Sequence, residues 1–322
     1  MSTKIPLSFA ERFANMSLSK VIIIGSGPAG LTAAIYAARA ELNPLLIAGS
    51  VYGGQLMLTT EVGNFPGFPQ DVQGPALIQQ MLDQAKRFGT EVIFEDVTRV
   101  DFSKRPFRLW TDGQEYQTAA VIVATGASAK WLGLPSEQRL RGHGVSSCAT
   151  CDGFFFKGKR VVVVGGGDVA MEDSNFLTRF ASEVTVVHRR DTLRASKILQ
   201  KRALENPKIK FIWDTALEEV LGGEQVTGVR IKNLKTEAVQ ELAVDGVFVA
   251  IGHEPNTKFL KGSGIELDQK GYILMREHSR SNIDGVFVAG DVQDFYYRQA
   301  ITAAGDGCRA AMDAEKWLAA RD

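Results

Sequence analysis

The pattern that most restricts how this chain can fold occurs twice. The first copy begins with the aliphatic run Val21 to Ile24, continues through Gly25-Ser26-Gly27-Pro28-Ala29-Gly30, and enters a stretch rich in Ala and Leu that extends to Ala40. An unbroken apolar run of this length suits a strand buried on both faces of a parallel sheet, and the stretch from Pro28 to Ala40 reads as a helix. The intervening glycines stand at Gly-x-Gly-x-x-Gly spacing. The first permits a tight turn, the second lets backbone N–H groups approach a pyrophosphate, and the third lets helix and strand pack closely. Glycine-rich turns also occur in ordinary loops, but here a second strand, Pro44 to Ala48, completes the unit.

The second copy runs from Arg160 through Gly165-Gly166-Gly167-Asp168-Val169-Ala170, with a helix expected to about Phe180 and a strand from Glu183 to Val187. In both copies 23 residues separate the first glycine from the end of the second strand, Gly25 to Ala48 and Gly165 to His188. Two nucleotides are implied, each with its phosphates at a helix N-terminus, where unpaired N–H groups and the helix dipole favour negative charge. The copies differ where the second strand ends, the place at which an acid would bind a ribose hydroxyl or a base a 2′-phosphate. His188-Arg189-Arg190, with Arg194 beyond, favours NADPH over NADH, because planar guanidinium groups match phosphate oxygens. The alternative is a solvated basic loop. The first copy has Ala48-Gly49-Ser50 there, with no acid, so how it would hold an adenosine ribose stays open.

Further apolar strands organise the rest. Ala119 to Ala124, ending in Thr125-Gly126, and Gly246 to Ile251 read as the crossings between two domains. The expected fold is therefore α/β, with two Rossmann-like, three-layer dinucleotide-binding domains. The second (128–252) is inserted into the first (21–127 and 253–322), and residues 1–20 form an N-terminal extension. A chain of 322 residues is long enough for two such cores. Gly285 to Asp291 is another apolar strand; Asp291 past its end is either a site residue or a helix N-cap.

Cys148-Ala-Thr-Cys151-Asp152 is spaced to close a small disulfide ring, and motifs of this kind commonly hold thiols of lowered pKa. A zinc site would need four ligands, yet there is no second Cys-x-x-Cys and the chain has only 4 His. Asp152 is either a general acid and base or a turn residue, and Cys308 reads as a packed side chain on the C-terminal helix. Three cysteines and a single Cys-x-x-Cys suggest a reducing, cytoplasmic compartment. Lys plus Arg and Asp plus Glu both number 37, so no net field favours nucleic acid or an anionic membrane.

These residues closely resemble the low-molecular-weight thioredoxin reductases of bacterial type. The resemblance rests on Gly25 to Gly30, Gly53-Gly54-Gln55-Leu56, Ala124-Thr125-Gly126, Cys148 to Gly153, Gly165 to Gly167, His188 to Arg190 with Arg194-Ala195, and Gly290-Asp291 with Arg298-Gln299-Ala300. It implies FAD in the first domain, NADPH in the second, a homodimer, and thioredoxin as the protein substrate. By the same resemblance Gly25, Gly27 and Gly30 hold the FAD pyrophosphate, and Gly53 to Gln55 and Asn64 line the flavin region. Asp291 meets the ribityl or phosphate part, and Arg298, Gln299 and Ala300 approach the ring system. Cys148 attacks thioredoxin, Cys151 lies nearer the flavin, Asp152 moves the proton, and the inserted domain rotates between half-reactions. A peroxiredoxin-linked reductase, which usually carries extra N-terminal redox domains, and a flavin sensor without turnover are the competing expectations.

Overall fold

A computed structural model describes residues 19–321 except Thr60. The chain opens with β1 (Ser19–Ile24), α1 (Pro28–Arg39) and β2 (Leu45–Ile47). Positions 19 and 20 of the expected extension thus belong to β1, and its other 18 residues lie outside the described ones. A hairpin of β3 (Glu61–Val62) and β4 (Val72–Gln73) precedes α2 (Gly74–Arg87). Then come β5 (Glu91–Ile93), β6 (Arg99–Asp101), β7 (Phe107–Trp110), β8 (Glu115–Val123) and β9 (Ala127–Ala129). Next are α3 (Pro135–Arg139), β10 (Val145–Ser146), α4 (Ala149–Asp152), β11 (Arg160–Val164), α5 (Asp168–Leu177) and β12 (Glu183–Val187). After α6 (Lys197–Leu204) and β13 (Ile209–Ile212) follow β14 (Thr215–Leu221), β15 (Gly228–Asn233), β16 (Val239–Leu242) and β17 (Gly246–Val249). β18 (His253–Pro255), β19 (Val286–Val288) and α7 (Ala300–Ala319) complete the order.

The chain divides into two compact units. The first takes in the described residues up to 57 together with 74–127 and 255–321, and the second takes in 58–73 and 128–254. The segment 58–73, expected in the first domain, groups with the second unit; among the described residues its two short strands pair with each other and join no larger sheet. Among the described residues no helix is long and apolar enough to cross a membrane.

In the first unit the strands run β5-β2-β1-β8-β7-β6, with β19 also on β8. One edge of β8 carries β1. The other is shared, by antiparallel β7 along Glu115 to Thr118 and by parallel β19 along Val121 to Val123. Ile22, Ile24, Val121, Val123, Val286 and Val288 face one core, while Val21, Ile23, Ile122 and Phe287 are buried on the opposite side. Burial on both faces is what the unbroken aliphatic runs require. There α1 and α7 pack so closely that a Cβ on Gly307 would come within 2.0 Å of the Ala29 carbonyl oxygen.

The second unit has a parallel sheet in the order β10-β17-β11-β12-β13 and a separate antiparallel sheet of β14, β15 and β16. Along β11, Val161 and Val163 pack with Met171 and Leu177 of α5, and Val162 and Val164 pack with Val220, Val229 and Ile231 of the three-stranded sheet. Helix α5 ends at Leu177 rather than near Phe180, because the N–H groups of Phe180 and Ala181 both turn back to the Leu177 carbonyl.

Candidate functional site

In the first unit the Gly25 N–H donates to the Ile47 carbonyl (2.8 Å), and Gly25 adopts φ +101, so a Cβ there would strike the Ala124 carbonyl at 2.5 Å. Gly30 is tighter still: a Cβ would lie 1.7 Å from the Gly25 oxygen. Gly27 has open space instead, and with Pro28 and Ala29 it begins α1 without any side-chain cap, leaving N–H groups free for an anion. Buried Ser26 ties this turn to its surroundings, its hydroxyl donating to the Ala48 carbonyl (2.7 Å) and accepting from Gly53 N–H (2.9 Å). Gly54 lies next to Gly27, and Gln55 follows on a short 3₁₀ turn. Thr125 and Gly126, at the end of β8, are held by Asn256 through three hydrogen bonds of 2.8 to 3.0 Å. Asn64 falls in the segment grouped with the second unit. An acid does stand beside Ala48-Gly49-Ser50: Asp96, just beyond β5, accepts from both the N–H and the hydroxyl of Ser50. Only the pairing of β5 with β2 reveals this neighbour.

Gly290 packs against Ala29, with 2.9 Å between the Ala29 Cβ and a Cβ built on Gly290, and this brings Asp291 to the start of α1. Asp291 Oδ1 is enclosed with no hydrogen-bond partner among the described residues, so there the residue caps no helix. Burial first, then the Asp294 and Asp306 charges opposed by Arg298, raises its carboxyl to about 7. Asp294 accepts the N–H groups of Tyr296, Tyr297 and Arg298, which turns the chain so that Arg298 takes φ +48 and Gln299 caps α7 reciprocally with Thr302, with Ala300 first in the helix. An orphaned buried acceptor beside an open helix start fits a hydroxyl- and phosphate-bearing flavin nucleotide.

The glycine turn of the second unit is built on the same plan. Gly165 N–H donates to the Val187 carbonyl (3.2 Å), and a Cβ on Gly165 would meet the Ala250 carbonyl at 2.4 Å. Ala170 fills the position of the third glycine, and Gly167 faces open space ahead of Asp168 and Val169. The 194–196 segment is strapped over this turn: Arg194 and Ala195 N–H donate to the Gly166 carbonyl, and Ser196 N–H donates to Asp168 Oδ1 (2.7 Å). Arg189, Arg190 and Arg194 are exposed and make no ion pair among the described residues. His188 behaves differently. Its ring is buried where a Gly166 side chain would go and lies 3.1 Å from the Thr192 carbonyl oxygen. Burial, with the three neighbouring arginines, depresses its pKa, so it acts as a neutral spacer beneath the loop.

Also in the second unit, Cys148 and Cys151 form a disulfide with Cα atoms 5.3 Å apart, Cys148 capping the short α4. Asp152, the last residue of α4, has its pKa raised by burial, with the Ser146 hydroxyl acting in the opposite direction. The same Ser146 oxygen accepts from the Cys148 N–H (3.0 Å). Ser146 carried no sequence signal, being one of many serines. Cys308 is a free thiol on α7 beside Met312.

The family model described as pyridine nucleotide-disulphide oxidoreductase matches residues 19–307. The chain belongs to this family. Within it, the relatives place the chain among the low-molecular-weight thioredoxin reductases of bacterial type. The thioredoxin reductase of Rickettsia conorii is 55% identical over 305 residues, covering 93% of this chain and 98% of the relative. Among solved structures, thioredoxin reductase from Giardia duodenalis matches at 44% identity with a TM-score of 0.90, over 93% of this chain and 98% of that one. The thioredoxin reductase of Streptococcus pyogenes matches at 42% identity and a TM-score of 0.90, over 94% and 99%. Members of this family are flavin- and nicotinamide-linked disulfide oxidoreductases, and the disulfide of this chain is Cys148–Cys151.

Proposed function

We propose that this chain draws electrons from NADPH through FAD into the Cys148–Cys151 disulfide and passes them to the disulfide of thioredoxin. The observation that carries this is a closed redox disulfide in the same unit as a nucleotide turn flanked by three unpaired arginines. When bound, flavin and nicotinamide supply the hydride and electron transfer that side chains cannot. Asp291 and the N–H groups after Gly27 would hold FAD, and Arg189, Arg190 and Arg194 would hold the 2′-phosphate. In the reduced chain, Cys148 thiolate attacks one sulfur of the thioredoxin disulfide, an S–S bond forms between the two proteins, and the departing thiolate takes a proton from Asp152. Cys151 thiolate then attacks Cys148 sulfur, restoring the 148–151 disulfide and releasing dithiol thioredoxin. Two electrons pass from one dithiol to one disulfide.

The Gly25 to Gly30 turn and Asp291, which would hold the flavin nucleotide, belong to the first unit, and the nicotinamide turn and the disulfide both belong to the second. The second unit must therefore present each to the flavin in turn, so we read it as rotating within a cytoplasmic homodimer. NADPH consumption with and without thioredoxin tests the partner. Cys151→Ser should accumulate a covalent complex on non-reducing gels with thioredoxin carrying an activated cysteine, whereas Cys148→Ser should trap little. The reverse result exchanges the two roles, and NADPH consumption indifferent to thioredoxin removes the partner.

A further inference from the structure

We infer that Lys235 is a positioning residue for NADPH: it holds the carboxylate that stands among the arginines and so keeps their guanidinium groups open to the 2′-phosphate. The inference rests on Arg189, Arg190 and Arg194 binding that phosphate, as proposed above. The loop after β12 carries an acid among its cations, for Asp191 adjoins Arg190 and stands three residues before Arg194. A carboxylate competes with a phosphate for a guanidinium, since both accept the same forked pair of N–H donors. Yet the three arginines make no ion pair among the described residues, and Asp191 Oδ2 meets the Lys235 ammonium at 3.4 Å instead.

Lys235 reaches this acid from another sheet. It lies in the turn between β15 and β16, where Asn233 Oδ1 accepts the N–H groups of Lys235 (3.0 Å) and Thr236 (2.9 Å). Its ammonium, with three protons to give, also meets Asp214 Oδ2 at 2.9 Å. Asp214 fastens turn and loop together through its backbone, its N–H donating to the Arg190 carbonyl (3.3 Å) and its carbonyl accepting from Leu234 N–H (2.6 Å). Beside it, Thr215 N–H donates to the His188 carbonyl (3.0 Å). These backbone bonds hold the arginine loop whatever the side chain at 235. What the ammonium adds is a partner for Asp191. Without it the carboxylate is released to Arg190 or Arg194, and a 2′-phosphate must displace it to bind. NADH carries no such phosphate and is indifferent to the change. The side chains of Lys235 and Asp191 are 63% and 67% exposed, so their pair contributes little to folding and its effect is bounded by the worth of a surface ion pair.

Steady-state reduction of thioredoxin by the flavin-loaded protein, with NADPH or NADH as donor, tests this. Lys235→Met should raise the KM for NADPH about fivefold, the upper worth of an exposed ion pair, with kcat and the KM for NADH unchanged. Lys235→Arg, which keeps the charge, should retain the natural value, and adding Asp191→Asn to Lys235→Met should restore it. An unchanged KM for NADPH in Lys235→Met, an equal rise with NADH, or a double variant no better than Lys235→Met alone overturns the inference. Arg189→Ala with Arg190→Ala, measured alongside, tells this failure from that of the phosphate site: if that pair leaves the KM for NADPH unchanged, the site itself falls and the inference with it.

Discussion

The two glycine turns share one spacing but solve different problems. In the first, the third position must be glycine because the helix approaches until only 1.7 Å separates a built Cβ from the Gly25 oxygen. In the second, Ala170 stands there, its Cβ already packed beside Gly165. The first turn is anchored by a buried serine and gets its acids from distant segments, Asp96 and Asp291. The second is anchored by a buried histidine and gets its cations from the loop that follows directly. Equal spacing thus fixes the backbone of a phosphate turn, and the identity of the nucleotide is decided by what surrounds it.

Exchanging the third-position residues should produce the largest effect. Gly30→Ala should destabilise the first unit by about 3 kcal/mol or more and yield protein with little flavin, whereas Ala170→Gly should cost about 1 kcal/mol. Thermal unfolding and the ratio of flavin to protein absorbance measure both, and equal losses would erase the distinction. Next, Arg189→Ala with Arg190→Ala should raise the KM for NADPH about a hundredfold, roughly 3 kcal/mol, with NADH nearly unchanged. Equal losses with both nucleotides would reduce the arginines to scaffold.

A smaller effect concerns Asp291. Its folded-state carboxyl titrates at about 7, above the ordinary value near 4 for an unfolded chain, so between these the folded state binds more protons. Its contribution to stability is therefore fully present at low pH and is lost as pH rises from about 4 through 7. Flavin-free protein should melt a few degrees lower at pH 8 than at pH 5 through this group, and Asp291→Asn should remove that difference. The smallest effect is local. Gly166→Ala forces a Cβ to within 2.3 Å of the His188 ring, and adding His188→Ala should recover about 1 kcal/mol of the loss.

Much of this was legible in the sequence, for reasons that particular residues make plain. Val21 to Ile24 and Val161 to Val164 announced two-faced burial, and Gly25 and Gly165 announced backbone that no side chain could share, because local chemistry alone imposes both. Asp96 was hidden: it lies 46 residues from Ser50 in the chain and meets it only through sheet order. His188 looked like a ligand because it is contiguous with Arg189, yet its ring is buried in the space that the missing side chain of Gly166 leaves beneath the turn. Ser146 was silent because a serine's role lies in the hydrogen bonds it makes, which the spacing did not disclose.

The shared edge of β8 has a consequence for how the molecule is made. A ribosome emits the 115–123 strand long before the 286–288 strand that must pair with it, whereas the five-stranded parallel sheet and the three-stranded sheet of the second unit use only residues 145–249. The inserted unit can therefore close its sheets while the first still waits for its last strand and for the helix that carries Gly307. A nascent chain arrested after residue 285 should show protease resistance across 145–249 and sensitivity in 19–57, so that synthesis completes the interior of the gene's product before its ends.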